Sequence, residues 1–305
     1  MPRPAPLPSS LSERGFRVGS AVAAGVSRGR LRSSDLVAPF RGIRSRPSEV
    51  LDHRGRTVAY AAKLRPGEFV SHGSALLVVG VSVPARCVTD VHVTSVGPAE
   101  RARGSGVRGH ESVPDALRTV VVNGVAVVHP VDAWCQLGQE LSVRELVAIG
   151  DALLRRKRPI ATLDLLRDAV CRYGRRRGVR RLREALELIR ERTDSYEETE
   201  LRLDAAAAGL PEPEVNGAIV DERGRFIAYG DLVYRAYRTI LEYDGEQHRV
   251  DDAQFACDVS RLDDLARLGW RVVRVTKRHR GAERRAKLAR VRESLVARGW
   301  RPGGP

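Results

Sequence analysis

The chain has 305 residues, of which 42% are hydrophobic and 30% are charged, and it carries a net charge of +15. This length suits two modest domains, and the charge favours a polyanionic partner such as nucleic acid, although arginine-rich surfaces also occur on ordinary soluble proteins. No apolar run reaches the roughly 20 residues of a membrane span, and the N-terminus lacks the apolar segment of a secretory signal. The cysteines are far apart and without C-x-x-C spacing, which argues against a zinc site and a disulfide framework: Cys87, Cys135, Cys171 and Cys257. We therefore expect a cytoplasmic protein that contacts no membrane.

The N-terminal segment predicts a tail followed by two short helices. Residues 1–14 are rich in Pro and Ser and predict disorder. Between Phe16 and Ile43, Gly25 suits a turn and Ser27 suits the cap of a second helix. This pattern resembles a degenerate helix-turn-helix, whose second helix would carry three arginines into a major groove: Arg28, Arg30 and Arg32. The alternative is a small helical hairpin with solvated arginines.

Residues 15–135 predict an α+β region. Asp90 to Thr94 alternate as a half-buried strand does, and Asn123-Gly124 between two β-branched runs predicts a hairpin. Four histidines occur here without metal-ligand spacing, so structural or surface roles are predicted for them: His72, His92, His110 and His129.

Residues 136–192 predict a helical, basic connector. Two clusters of basic residues interrupt its apolar periodicity, at 155–158 and at 175–181. The arginines of the second cluster could follow a phosphate backbone without reading sequence: Arg175, Arg176 and Arg177. A solvated connector between domains is the alternative.

Residues 193–305 predict a compact α/β domain. Ser195 followed by Glu198 fits a capping box at the start of a helix that stops at Gly209. Three strands, a helix, a fourth strand and a basic helix follow, giving the order α-β-β-β-α-β-α. That order predicts a mixed sheet with helices on both faces.

Acidic residues interrupt two of these strands. Asp231 lies in the second strand, and Glu242 and Asp244 lie on one face of the third. Burying carboxylates together is costly unless a cation neutralises them, and a hard divalent ion with oxygen ligands, Mg²⁺ or Mn²⁺, would do so. The predicted metal ligands are Asp231 and Glu242. His248 is a candidate general acid or base.

Each of these residues also has a simpler explanation. Asp231 could end a strand, Asp244-Gly245 is a common turn pair, and Glu198 could serve only the capping box. Asp258 and Arg261 could form an exposed ion pair on a helix, although Arg261 is also a candidate nucleic-acid contact. The joint occurrence of these residues in one element pattern favours the functional interpretation.

The C-terminal part resembles bacterial endonuclease-domain proteins related to very-short-patch mismatch-repair endonucleases, in the PD-(D/E)XK superfamily. Three stretches carry the resemblance: Leu241-Glu242-Tyr243-Asp244-Gly245-Glu246-Gln247-His248, Asp258-Val259-Ser260-Arg261 and Leu268-Gly269-Trp270-Arg271-Val272-Val273-Arg274-Val275-Thr276. The region before it more loosely resembles the abortive-infection type IV antitoxin family, through Pro39-Phe40-Arg41-Gly42, Ser71-His72 and Val91-His92-Val93-Thr94 among others.

The resemblance implies a restriction-endonuclease-like α-β-β-β-α-β core at 193–305. By it, Asp231 and Glu242 correspond to metal-binding acids, and Glu198 to an acid on the helix before the sheet. Asp244 stands where the E-x-K lysine is expected, and His248 is a possible substitute, as in very-short-patch enzymes.

Two functions follow as expectations. The first is a Mg²⁺-dependent DNA endonuclease with catalytic residues Asp231, Glu242, Asp244, His248 and Glu198. The second is a non-catalytic, antitoxin-like DNA-binding regulator on a degenerate nuclease fold. RNA is an open alternative as the target.

Overall fold

The computed structural model describes residues 4–9, 11, 14–97, 100–245 and 252–302, and the side chains of all these except 252–257. The fold is mixed α/β. The chain divides into two compact units, the first formed by Met1–Leu153 with Ile160–Leu188 and the second by Leu154–Pro159 with Ile189–Pro305.

The first unit is an α+β structure around a five-stranded sheet. Its sheet has the order β5-β4-β3-β7-β6, and β1 and β2 form a separate antiparallel pair. The strands are β1 (Phe16–Arg17), β2 (Ile43–Arg44), β3 (Glu68–Val70), β4 (Val91–Val96), β5 (Val107–Ser112), β6 (Thr119–Val122) and β7 (Val125–Val128). The helices are α1 (Val18–Ala23), α2 (His53–Ala61), α3 (His72–Val78), α4 (Pro130–Gln136), α5 (Val143–Leu153), α6 (Leu163–Tyr173) and α7 (Val179–Leu188).

The predicted hairpin and strand are both present in this unit. β6 and β7 pair antiparallel from Thr119↔Val128 to Val122↔Val125, so that Asn123 and Gly124 form the turn. Both turn residues have positive φ, 49° and 75°, as the twist of a two-residue hairpin requires. β4 begins at Val91, one residue after the predicted start, and lies in the interior of the sheet.

The structure contains no second helix of the length that a helix-turn-helix needs near residue 30. That segment is a three-residue 3₁₀ helix, Arg30–Arg32, too short to lie along a major groove. Its Leu31 is buried with Phe16 and Ala21, and Leu7 and Leu11 of the predicted disordered tail pack against the same cluster. Packing of these apolar side chains, rather than an exposed recognition helix, determines the local structure.

Residues 136–192 differ from the predicted continuous connector. Three separate helices occur here, and Ile160–Leu188 belongs to the first unit. The apolar faces of these helices complete a core and do not face solvent. Four of their leucines are fully buried: Leu146, Leu153, Leu166 and Leu182.

The second unit has the element order predicted for residues 193–305. It comprises α8 (Tyr196–Ala207), β8 (Glu214–Val220), β9 (Phe226–Tyr234), β10 (Thr239–Asp244), α9 (Asp252–Arg267), β11 (Arg271–Thr276) and α10 (Gly281–Ala297). Ser195 caps α8 by accepting a hydrogen bond from Glu198 N. Gly209, at φ 68°, ends the helix in the left-handed conformation that favours glycine.

Helices pack on both faces of the sheet in the second unit. Its order is β11-β10-β9-β8, with β10 parallel to β11 and antiparallel to β9. Leu241 of β10 packs with Leu201 of α8 and Val291 of α10, whereas Ile240 packs with Leu265 of α9. Because side chains alternate along a strand, Glu242 shares the face of Ile240, on which α9 lies.

Within the described part of the chain, no helix combines the length and the apolar character that crossing a bilayer demands.

Candidate functional site

Asp231 and Glu242 lie beside each other where strands β9 and β10 separate. The backbone ladder runs from Thr239↔Tyr234 to Leu241↔Leu232, and Glu242 opposite Asp231 would be its next pair. Instead, Asp231 Oδ2 accepts a 2.7 Å hydrogen bond from Tyr243 N. The carboxylate is thereby fixed at the end of β10, with Oδ1 accepting no hydrogen bond from the described residues.

The electrostatic environment of Asp231 disfavours its charge. Burial and the nearby carboxylates of Glu198 and Glu242 raise the pKa of Asp231 to about 7. The hydrogen bond from Tyr243 N and the charge of Arg261 lower it, but compensate only in part. A carboxyl group with this pKa beside two other acids marks a candidate functional site, or a site that requires a cation to stay ionised.

Glu242 is neutralised by arginines. Its side chain is buried, and both oxygens accept hydrogen bonds from Arg261 Nη2 of α9, at 2.7 and 2.8 Å. Arg274 of β11, its partner in the parallel register, lies 3.6 Å from Glu242 Oε2. Arg261 therefore pairs with Glu242 and not with Asp258, the partner that the simpler explanation gave it.

Arg274 links the remaining acids. Its guanidinium is 3.8 Å from Asp244 and 3.8 Å from Asp258, in addition to its contact with Glu242. The positive charge beside Glu242 thus comes from the adjacent strand and from α9. His248 falls outside the described residues.

Glu198 is saturated by local donors. Ser195 Oγ donates to Oε1 at 3.0 Å, while Asp194 N and Asn216 Nδ2 donate to Oε2 at 3.0 and 2.7 Å. It therefore serves the capping arrangement and acts on Asp231 through its charge. Among the described residues, Glu198, Asp231 and Glu242 do not form a set of three whose ligand atoms all lie within 4.8 Å of one another.

The predicted nucleic-acid arginines of the first unit differ in their contacts. Arg30 donates to both oxygens of Asp35, at 2.9 and 2.8 Å, so its charge is paired. Two neighbouring arginines and those of the second cluster are exposed and form no ion pair with a described residue: Arg28, Arg32, Arg175, Arg176 and Arg177. Arg176 also lies over the ring of Tyr173 at 5.5 Å.

Sequence reasoning missed a cluster of three histidines in the first unit. His72, His92 and His110 each offer one ring nitrogen, and these atoms all lie within 4.8 Å of one another. His92 and His110 come from parallel neighbours β4 and β5, where Thr94 pairs with His110, so the two rings project diagonally from one face. His72 joins them from the start of α3. The cluster can be identified once the pairing of β4 with β5 is known, and no residue spacing in the sequence reveals that pairing.

The three rings are held neutral. Burial and the mutual proximity of the histidines lower the pKa of His72 well below its usual value, and burial with His110 and Arg108 nearby lowers that of His92 to about 3. Burial, then Arg108 and Arg101, lowers the pKa of His110 to about 4.

The comparisons with known proteins indicate no activity for this chain. No family model matches the chain, and no solved structure matches it. The chain is similar to two proteins of Mycobacterium tuberculosis, uncharacterized protein MT2308 (strain CDC 1551 / Oshkosh) and uncharacterized protein Rv2248 (strain ATCC 25618 / H37Rv). Each is 30% identical over 184 residues, or 60% of this chain and 66% of the relative. The match thus spans slightly less than two thirds of either relative, and neither name states an activity.

Proposed function

We propose that the second unit is a metal-dependent DNA endonuclease domain of the PD-(D/E)XK type. The observation that carries the proposal is the position of Asp231, hydrogen-bonded to Tyr243 N at the end of β10 and adjacent to Glu242. The order α-β-β-β-α-β on a four-stranded mixed sheet is compatible with a restriction-endonuclease-like core.

The chemistry of the donors fits Mg²⁺ or Mn²⁺. Asp231 Oδ1 has no hydrogen-bond donor among the described residues, and carboxylate oxygens are the ligands that hard divalent ions prefer. Asp231 and Glu242 would hold the ion, which when bound polarises a phosphoryl oxygen and lowers the pKa of a coordinated water.

The arginines supply the charge that the missing lysine would supply. Arg261 and Arg274 both contact Glu242, so releasing either one from the carboxylate leaves a guanidinium free to bind a phosphate oxygen. Asp231, with its pKa about 7, can hold a proton near neutral pH when no cation is present. The net charge of +15 favours a polyanionic substrate.

Supercoiled plasmid provides the test. The wild-type chain should nick it with Mg²⁺ or Mn²⁺ and not with EDTA, while Asp231→Asn should lose at least about a hundredfold in rate. Glu222→Gln is the matched control, because Glu222 is an exposed acid in the β8–β9 turn of the same unit. Nicking that resists EDTA, or that the Asn variant retains, would remove Asp231 from the site.

A second candidate is a DNA-binding regulator without cleavage, of the antitoxin-like kind. The observation that favours it is the contact of Arg261 Nη2 with both oxygens of Glu242, which neutralises this carboxylate without a metal. It predicts salt-sensitive DNA binding that EDTA does not change and no cleavage with any divalent ion.

A further inference from the structure

The three histidines of the first unit converge from three elements held by the same sheet. β4 pairs with β5 in parallel and with β3 antiparallel, and Ser71 N, just before α3, donates to His92 O at 2.9 Å. His72 and His92 are buried, and His110 is partly exposed. Rigid strands and a helix start, rather than loops, therefore hold the three imidazoles.

The separations of the nitrogens suit one metal ion. His110 Nε2 and His92 Nδ1 are 3.2 Å apart. Two imidazole nitrogens bound tetrahedrally to zinc at about 2.0–2.1 Å are roughly 3.3 Å apart. One ring nitrogen from each of the three histidines, His72 included, lies within 4.8 Å of the other two, so a small closure completes the set.

A neighbouring hydroxyl orients the ring of His72 as an outer partner of a metal ligand does, and a second hydroxyl holds the backbone of His92. Ser71 Oγ lies 3.0 Å from His72 Nδ1, leaving the other ring nitrogen of His72 for a metal. Ser74 Oγ accepts from His92 N at 3.0 Å and lies 2.9 Å from His53 Nε2. His72 itself has φ 51°, a left-handed conformation that is strained for a residue with a side chain and that is common at functional sites.

One side of the cluster opens to a cleft. His72 and His110 line a cleft of about 740 Å³ together with Thr94, Gln136, Arg176 and Arg177. Thr94 Oγ1 is buried there and has no hydrogen-bond partner among the residues that the structure describes, and Thr94 is the strand partner of His110. A fourth coordination position on this side would be accessible to water or to an anion, and the two arginines would favour an anion.

We propose that His72, His92 and His110 form a binding site for one transition-metal ion of the zinc type, with a fourth position open to the cleft. Three imidazoles suit Zn²⁺, Co²⁺ or Ni²⁺ and not Mg²⁺, which prefers oxygen ligands. The site lies in the first unit and does not depend on the carboxylates of the second.

Metal binding to the untagged, chelator-treated chain tests the proposal. Equilibrium dialysis against Zn²⁺ should give one tightly bound ion per chain, and Co²⁺ should give the visible absorption of a four-coordinate site. His110→Ala and His72→Ala should each weaken Zn²⁺ binding by about tenfold to a hundredfold and abolish the Co²⁺ spectrum. His129→Gln is the matched control, being a half-buried histidine of the same unit outside the cluster, and should bind as the wild type does.

His110 is the variant of choice because its partly exposed side chain can be truncated with the least disturbance of the core. Circular dichroism of each apo variant separates lost ligation from lost folding. The spectrum of the wild-type chain tests the site without any variant. Absence of bound Zn²⁺ and of a Co²⁺ spectrum in the wild type, or equal binding by folded His110→Ala, would overturn the proposal. Neither readout uses nuclease activity, so the outcome is independent of the proposed function.

Discussion

Asp231 Oδ2 accepts a hydrogen bond from Tyr243 N, in the position where the β9–β10 ladder would continue with a backbone carbonyl. A side-chain carboxylate here ends the strand pairing and is held beside Glu242 on the face covered by α9. This contact fixes an acid with a pKa of about 7 at a defined position. Four predictions follow from the charges around it and on the rest of the chain.

Replacing Asp231 by Asn should stabilise the metal-free chain at alkaline pH. The pKa of Asp231 is raised from 3.8 to about 7 in the folded chain, so the folded state binds the proton more tightly, and stability falls as pH rises from 3.8 to 7. Asn keeps an acceptor for Tyr243 N without the charge. In EDTA at pH 8 we expect the free energy of unfolding of Asp231→Asn, measured with urea, to exceed that of the wild type by about 1–2 kcal/mol. The gain is smaller than the full pKa shift implies because the side chain is partly exposed to solvent.

At pH 4 the gain should nearly vanish, because the carboxyl group is then protonated in the folded chain. Glu222→Gln, at an exposed position, should show no such pH dependence. A stability difference that is the same at both pH values would contradict the raised pKa.

Truncating Arg261 should expose the charge of Glu242. Arg261→Ala leaves a buried carboxylate with only Arg274, at 3.6 Å, and should cost about 2–4 kcal/mol of unfolding free energy without metal. Mn²⁺ should then raise the melting temperature of this variant more than that of the wild type, since the ion no longer competes with the arginine.

Arg267→Ala, on the same helix, is the control, because Arg267 is exposed and pairs only with Asp264 at 3.5 Å. It should change stability by less than about 0.5 kcal/mol. If Mn²⁺ stabilises Arg261→Ala no more than the wild type, then Glu242 is not a metal ligand.

Removing the charge of Glu198 should lower the pKa of Asp231. After burial, the negative charge of Glu198 contributes most to the raised pKa of Asp231, and its carboxylate is held by Ser195, Asp194 and Asn216. Glu198→Gln should bring the pKa of Asp231 below 7 in a carboxyl-carbon NMR titration. An unchanged pKa would show that the charge of Glu198 does not contribute to raising it. Glu197→Gln, the exposed neighbour on α8, should leave the titration unaltered.

The exposed arginines between α6 and α7 should contribute to DNA affinity through charge alone. Changing Arg175, Arg176 and Arg177 to Ala together should reduce the salt slope of DNA binding by about 2–3, if each neutralises a phosphate. The matched control removes three arginines that are already paired with acids: Arg101, Arg167 and Arg225. Equal slopes for the two triple variants, measured by fluorescence anisotropy, would exclude a specific contribution of the first cluster.

The second unit was the more predictable part of the chain. Its strands alternate clearly, Ser195 and Gly209 mark the two ends of α8, and the acids of β9 and β10 stand out against apolar neighbours. Local propensity and tertiary packing agree there, so the element order follows from the sequence. The pairing of Glu242 with Arg261 could not be predicted from the sequence, because it depends on how α9 packs on the sheet.

The first unit was predictable only in its local features. The Asn123-Gly124 hairpin follows from turn chemistry, whereas the segment near Arg30 forms a 3₁₀ turn because Leu31 is drawn into a core cluster. The proximity of His92 and His110 arises from a parallel strand pairing between distant segments. Parallel register has no short-range signal, so such a cluster cannot be read from spacing.

The most direct test of the nuclease proposal measures cleavage and binding on the same sample. Plasmid nicking with Mg²⁺ and DNA affinity should be determined together for the wild type, Asp231→Asn and Glu222→Gln. We predict that Asp231→Asn loses at least about a hundredfold in nicking rate while its affinity for DNA stays within about twofold. Wild-type binding without any metal-dependent nicking, or undiminished nicking by Asp231→Asn, would contradict the account.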